Sequence, residues 1–236
     1  LMTTCTTSMT DSDHKIEASL DIPGDKSLTH RAIILGSLST STCYFQNVLL
    51  AEDCMNTLSI FRQLGVLIDL DRVNRSICIH GVGLHGLKAP SHTLDVGNAG
   101  TGIRLVTGVL CAQHFDCRIT GDASIQKRPM KRIIDPLTQM GCSITGNSLP
   151  GKTDIYPPLF IQGKGKTEAI NFTLPVASAQ VKSAVMLASL YSQDRTSIFE
   201  PEQSRDHSER MFKLFGADID LKDRHIYTSG SKPLSL

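Results

Sequence analysis

The sequence predicts a mixed α/β fold assembled from three similar units, and three observations carry that expectation. First, a bulky residue followed by glycine closes an apolar helix-like stretch at Leu64-Gly65, Met140-Gly141 and Phe215-Gly216, each time leading into a short strand pattern. These glycines stand 76 and 75 residues apart, where a helix C-terminus favours a residue tolerant of the left-handed conformation. Second, each unit opens with another helix-like stretch, over 27–38, 101–112 and 178–191, with starts 74 and 77 residues apart. Third, a strand pattern separates the two helices of every unit, over 43–49, 116–120 and 196–199. Extended pieces at 77–80 and 154–162 complete the first two units, and 218–236 reads as a closing strand and a stub.

Composition narrows the function classes. The 236 residues can bury a real core as one large or two small domains. With 24 basic and 23 acidic residues the net charge is +1, so no global field points to nucleic acid or an anionic membrane. Any bound anion must be held by local placement of charge. The 12 Phe and Tyr residues, with no Trp, are not interleaved with a basic face, which again argues against nucleic acid. No apolar run approaches the roughly 18 residues of a spanning helix, and the start lacks the regions of a signal peptide, so the cytosol is the default location. Cysteines 5, 43, 54, 78, 111, 117 and 142 contain no Cys-x-x-Cys pair, and no pair among the eight histidines has ligand spacing. Reduced, mostly buried thiols are expected, with no metal and no cofactor. The Thr/Ser-rich stretch over 3–13 reads as part of a mobile tail spanning 1–13.

Polar residues suited to anions gather where the opening helices begin. A helix N-terminus presents free N–H groups and partial positive charge, so three such ends can face one phosphate or carboxylate pocket. In the first unit, Pro23-Gly24-Asp25-Lys26-Ser27 is followed by Arg31, one helical turn beyond Ser27. A point charge, a hydroxyl and a planar fork together suit a phosphorylated or carboxylated ligand; the plainer alternative is a solvated face with Ser27 as N-cap. In the second, Gly97-Asn98-Ala99-Gly100-Thr101-Gly102 lets backbone amides approach an anion, yet it is neither a Walker loop nor a dinucleotide fingerprint. Farther on, Lys127-Arg128 precede Pro129 at a plausible first helical position. In the third, the opening helix starts at Ala177-Ser178-Ala179-Gln180-Val181-Lys182 and a second helix starts around Gln203-Ser204-Arg205-Asp206-His207. Adjacent helical residues point about 100° apart, which argues against Asp206-His207 as a catalytic dyad.

Taken in order, these segments resemble the EPSP synthase family. The blocks are Pro-Gly-Asp-Lys-Ser at 23–27 with Arg31, Gly-Asn-Ala-Gly-Thr at 97–101, Gly-Asp-Ala-Ser at 121–124 with Lys-Arg-Pro-Met at 127–130, Ala-Ser-Ala-Gln-Val-Lys at 177–182, and Arg-Asp-His at 205–207. The Ser-Ala-Gln and Lys-Arg-Pro-Met blocks look like the glyphosate-tolerant bacterial branch, whereas Gly100 departs from the alanine some tolerant members carry.

The resemblance implies one domain of a two-domain enolpyruvyl transferase fold, built of three βαβαββ repeats around a pseudo-threefold axis, here about 24–92, 93–166 and 167–236. It implies that residues 14–23 cross towards a second, C-terminal domain that this chain lacks, that the tail near 236 lies beside that domain, and that the protein acts as a monomer. The implied reaction transfers the enolpyruvyl group of phosphoenolpyruvate to the 5-hydroxyl of shikimate 3-phosphate and releases phosphate. Lys26 matches a catalytic position that contacts both ligands. Ser27, Arg31, Ser178, Ala179, Gln180 and Arg205 match shikimate 3-phosphate positions; Gly100 and Arg128 match phosphoenolpyruvate positions, with Gln180 shared. The acid/base carboxylates belong to the absent half, so this chain alone is expected to bind without turnover. A methyl group at Gly100 is expected to weaken glyphosate. Two rivals remain: the sister transferase acting on UDP-N-acetylglucosamine, for which Cys117 lies near the reactive-loop position, and a non-catalytic binding module.

Overall fold

The repeated unit consists of a strand, a helix, a strand, a helix and an antiparallel strand pair, and the computed structural model, which describes residues 22–236, shows how local sequence builds each piece. Unit one contains α1 (Lys26–Leu38), β1 (Thr42–Phe45), α2 (Glu52–Gln63), β2 (Leu67–Asp71) and β3 (Ser76–His80). Unit two contains β4 (Leu94–Asp95), α3 (Gly100–Leu110), β5 (Cys117–Thr120), α4 (Lys131–Gln139), β6 (Ser143–Asn147) and β7 (Tyr156–Gln162). Unit three contains β8 (Asn171–Thr173), α5 (Ala179–Ser189), β9 (Thr196–Phe199), α6 (His207–Leu214), β10 (Asp218–Lys222) and β11 (His225–Ser229).

One sheet topology recurs. The sheets run β1-β3-β2, β4-β5-β7-β6 and β8-β9-β11-β10. In the second and third, the opening strand pairs parallel with the next and all other pairs are antiparallel. Among the described residues unit one has no such opening strand; the predicted tail over 1–13 and nearly all of the crossover over 14–23 lie outside them. Gly65, Gly141 and Gly216 end α2, α4 and α6 with φ of 89°, 82° and 69°, the left-handed stop expected of them.

Several boundaries differ from expectation. The strand over 43–49 stops at Phe45, because Asn47 takes φ of 53° and cannot continue the pleat. The closing strand and stub is instead the hairpin β10–β11, turned by Asp223 and Arg224 at φ of 49° and 63°. Asp25, not Ser27, caps α1, accepting from the Leu28 N–H at 2.7 Å. Pro129 precedes α4 rather than opening it, since Met130 is the N-cap. Ser204 and Arg205 sit in the loop before α6, which starts at His207.

The helices α1, α3 and α5 form the interior. Leu105, Val106, Val109 and Leu110 of α3 are fully buried, each stabilising the fold by about 1.5–3 kcal/mol. On α1, Ile33, Ile34, Leu35 and Leu38 are equally enclosed. The close approach of α3 to α5 needs Gly108, where an added Cβ would lie 2.4 Å from the Ala184 carbonyl oxygen. Strands alternate buried apolar residues with outward ones, mostly polar but including Leu67 and Phe160, so each sheet covers the helices with one face. Leu234 is buried near the chain end, and its carbonyl accepts from the Thr40 N–H at 2.9 Å. No helix among the described residues is long and apolar enough to cross a membrane.

Candidate functional site

The first turns of α1, α3 and α5 share a device that spacing along the chain does not reveal. In each, the fifth position of a short run bonds back to the carbonyl four residues earlier. Arg31 Nη1 donates to Ser27 O at 2.9 Å, Arg104 Nη1 to Gly100 O at 2.9 Å, and Ser183 Oγ to Ala179 O at 2.5 Å. These bonds fold each polar side chain back along its first turn. Side chains of Asp25 and Ser178 each take one N–H of the first turn in α1 and α5, while the start of α3 has no side-chain cap.

Contacts between helices bring these turns to one level. Gln180 Nε2 on α5 donates to Thr101 Oγ1 on α3 at 3.1 Å. Arg31 on α1 donates through Nη2 to Ser183 Oγ on α5 at 2.6 Å and through Nε to Ser208 Oγ on α6 at 2.7 Å, while those hydroxyls lie 2.6 Å apart. A Cβ on Gly102 would lie 3.0 Å from Thr57 Oγ1 and 3.7 Å from His30 Cε1, which places α1, α2 and α3 together at the same depth.

Charge then divides the site into two clusters. Arg31 is buried, its oxygen partners are all neutral, and among the described residues no carboxylate lies within ion-pair reach. Burial lowers its pKa to about 10, and the nearby Arg205 adds to that decrease against the opposing Glu209 and Asp25. Arg205 is exposed and, among the described residues, has no ion-pair partner. A bound anion would favour both cations.

The second cluster gathers at the start of α3. An added Cβ on Gly100 would lie 2.3 Å from Arg128 Nη1 and 3.3 Å from Arg104 Nη1, so both guanidinium groups approach this glycine. Arg128 is oriented by Asn98 Oδ1 at 2.9 Å and Ser124 Oγ at 3.3 Å, and Asn98 is held in turn by Asp122 at 2.7 Å. Arg104 has its pKa lowered by burial and then by Arg128 and Arg132, a concentration of like charge that an anion would relieve.

The structure thus joins Ser27, Arg31 and Arg205 in one cluster and Gly100 and Arg128 in another, and Gln180 of α5 reaches Thr101 beside the second. Ser178 caps α5, accepting from the Val181 N–H at 3.4 Å, and Ala179 supplies the carbonyl bonded by Ser183. Lys26 begins α1 with its ammonium paired to Asp53 of α2, not to another predicted site residue. Sequence reading missed Arg104, Ser183 and Ser208. The four-residue step from Ser27 to Arg31 recurs from Gly100 to Arg104, and aligning the repeat would have found that arginine.

Below Arg31 lies a buried charge network. Lys182 on α5 is fully enclosed, donating to Glu209 Oε1 at 2.5 Å and Glu200 Oε2 at 2.8 Å. Ser204 donates to the other Glu200 oxygen at 2.6 Å. Burial raises the Glu209 pKa against the opposing pull of Lys182. His30 is also enclosed; Nδ1 meets Thr57 Oγ1 at 2.9 Å, Nε2 has no partner among the described residues, and burial lowers its pKa to about 4. Cys117 is buried in β5 with its pKa raised to about 12, so it stays a thiol and lacks the reactivity of a loop nucleophile.

Comparison with known proteins places the chain by family and fold. A family model described as EPSP synthase (3-phosphoshikimate 1-carboxyvinyltransferase) matches residues 10–235. A 3-phosphoshikimate 1-carboxyvinyltransferase of Xanthomonas campestris pv. campestris is 49% identical over 204 residues, covering 86% of this chain and 45% of the relative. One from Bacillus cytotoxicus is 45% identical over 219 residues, covering 93% and 50%. A solved EPSP synthase from Acinetobacter baumannii superposes with a TM-score of 0.86 at 44% identity, covering 91% of this chain and 48% of that one. The chain spans about half the length of the curated relatives it matches.

Proposed function

Because the chain belongs to the EPSP synthase (3-phosphoshikimate 1-carboxyvinyltransferase) family, we propose that it holds shikimate 3-phosphate and part of the phosphoenolpyruvate clamp within an enzyme about twice its length. The observation that carries this reading is the convergence of three helix starts with two separate groups of cations lacking a carboxylate partner within ion-pair reach among the described residues. Shikimate 3-phosphate offers a phosphate ester and a carboxylate, and phosphoenolpyruvate offers both groups as well. Two cationic clusters at neighbouring helix starts suit two such ligands side by side.

In this proposal Lys26, Ser27, Arg31, Ser178, Ala179, Gln180 and Arg205 hold shikimate 3-phosphate, while Arg128 over Gly100, with Gln180 and Lys26, holds phosphoenolpyruvate. Arg31 acts as a fixed fork, because two hydroxyls and a carbonyl set its plane before any ligand arrives. The 5-hydroxyl of shikimate 3-phosphate gives up its proton and attacks C2 of phosphoenolpyruvate as the vinyl carbon takes a proton; the tetrahedral adduct then loses phosphate together with a proton from that methyl carbon, restoring the enol ether. Those proton transfers need carboxylates positioned from the part of the relatives that this chain does not cover. The chain by itself binds and does not turn over. The buried Cys117 thiol weighs against the sister reaction on UDP-N-acetylglucosamine.

Calorimetric titration of the 236-residue protein tests the substrate class. Shikimate 3-phosphate should bind saturably, UDP-N-acetylglucosamine should give no binding heat, and Arg31→Ala should weaken the former by about ten- to a hundredfold, the worth of a charge-assisted hydrogen-bond set. Binding of the nucleotide sugar instead would overturn the assignment.

A further inference from the structure

The first unit's sheet carries ligating side chains of a different kind. Asp69 on β2 stands directly opposite Cys78 on β3, and His80 follows on the same face of β3. All three turn away from the core, whereas their neighbours Ile68, Ile77 and Ile79 are buried in it. Their donor atoms lie within 4.8 Å of one another. His80 Nε2 is 3.4 Å from Asp69 Oδ2, and His80 Nδ1 is 3.4 Å from Thr42 Oγ1, the residue opposite it on β1.

A tetrahedral zinc ion with bonds of about 2.0–2.3 Å has ligand-to-ligand edges of about 3.3–3.8 Å. The His80–Asp69 separation already has that length, which is long for a hydrogen bond between these groups. In the tautomer with its proton on Nδ1, donating to Thr42, the Nε2 lone pair faces the carboxylate, where a shared cation satisfies both atoms and the threonine fixes the ring.

We propose that Asp69, Cys78 and His80 form a binding site for a thiophilic divalent cation, zinc foremost, with the fourth position open to water. One sulfur, one nitrogen and one oxygen donor select zinc or cobalt over magnesium and calcium, which prefer oxygen alone. Spacing along the chain hides the site, because strand register brings residue 69 against residue 78.

Cobalt(II) titrated into the reduced protein reads thiolate ligation directly through its near-ultraviolet charge-transfer band. One equivalent should bind, give that band and tetrahedral visible bands, and be displaced by zinc. Cys78→Ser should abolish the charge-transfer band, His80→Ala and Asp69→Asn should each weaken binding at least about tenfold, and Thr42→Val should weaken it about tenfold. Cys5→Ser should leave the band intact. Circular dichroism of each variant, all at outward-facing or terminal positions, controls for folding. Absence of the band, or its persistence in Cys78→Ser, overturns the proposal; a His80–Asp69 hydrogen bond alone then accounts for the geometry.

Discussion

Arg31 and His30 are neighbours on α1 that meet burial in opposite ways. Arg31 keeps its charge, because its guanidinium pKa stays near 10 and three oxygen atoms receive its N–H groups. His30 sheds its charge, with only a threonine hydroxyl beside it and a pKa of about 4. Below its ordinary pKa of 6.5 the unfolded chain takes up a proton that the folded chain refuses until about pH 4. Stability should therefore fall through that window as pH falls, by about 3 kcal/mol from this residue. NMR titration of the His30 Cε1–H checks this: no chemical-shift change from protonation should occur above about pH 5, and a midpoint near 6.5 would contradict the burial argument. Arg31, Gly100 and Arg128 were legible in the sequence because they belong to short motifs. Ser183 and Ser208 were not, since nothing local marks either serine until the fold brings it to an arginine 152 or 177 residues away.

Among the elements, α5 and α6 are tied by the Lys182 ammonium between Glu200 and Glu209. Both helices also supply the hydroxyls that hold Arg31, so the tie sets the geometry of the fork. Lys182→Met leaves two enclosed carboxylates facing each other without a cation and should cost about 3–5 kcal/mol at pH 7. The loss should shrink on acidification. Burial already raises the Glu209 pKa, so the folded variant holds a proton that the unfolded chain has released, and protonation removes the repulsion. Urea unfolding at pH 7 and pH 5 measures this difference, and an equal loss at both pH values would refute the charge-based account. The same scale shows where sequence reading succeeded: glycines ending α2, α4 and α6 were found from periodicity and left-handed tolerance. The β10–β11 hairpin escaped because Asp223-Arg224 turns the chain without the Asn-Gly or Asp-Gly signal. The opening strands β4 and β8 are only 2 and 3 residues long, too short to show alternation.

Across the whole molecule, the repeat does more than fill space. Three units present their first helices inward, and the packing of α1, α3 and α5 that buries the core also brings their polar first turns together. The core and the anion site are two ends of one arrangement. Order of the units and their α/β character could be read from spacing; their convergence could not, because it depends on contacts such as Gln180–Thr101 and on the close approach at Gly108. A crystal structure of the 236-residue protein with shikimate 3-phosphate tests the central claim most directly. The ligand should lie across the first turns of α1 and α5, its anionic groups within hydrogen-bond reach of Arg31, Arg205 and the Ser178–Gln180 segment. Density for the ligand only beside Arg104 and Arg128, or away from the three helix starts, would contradict the account.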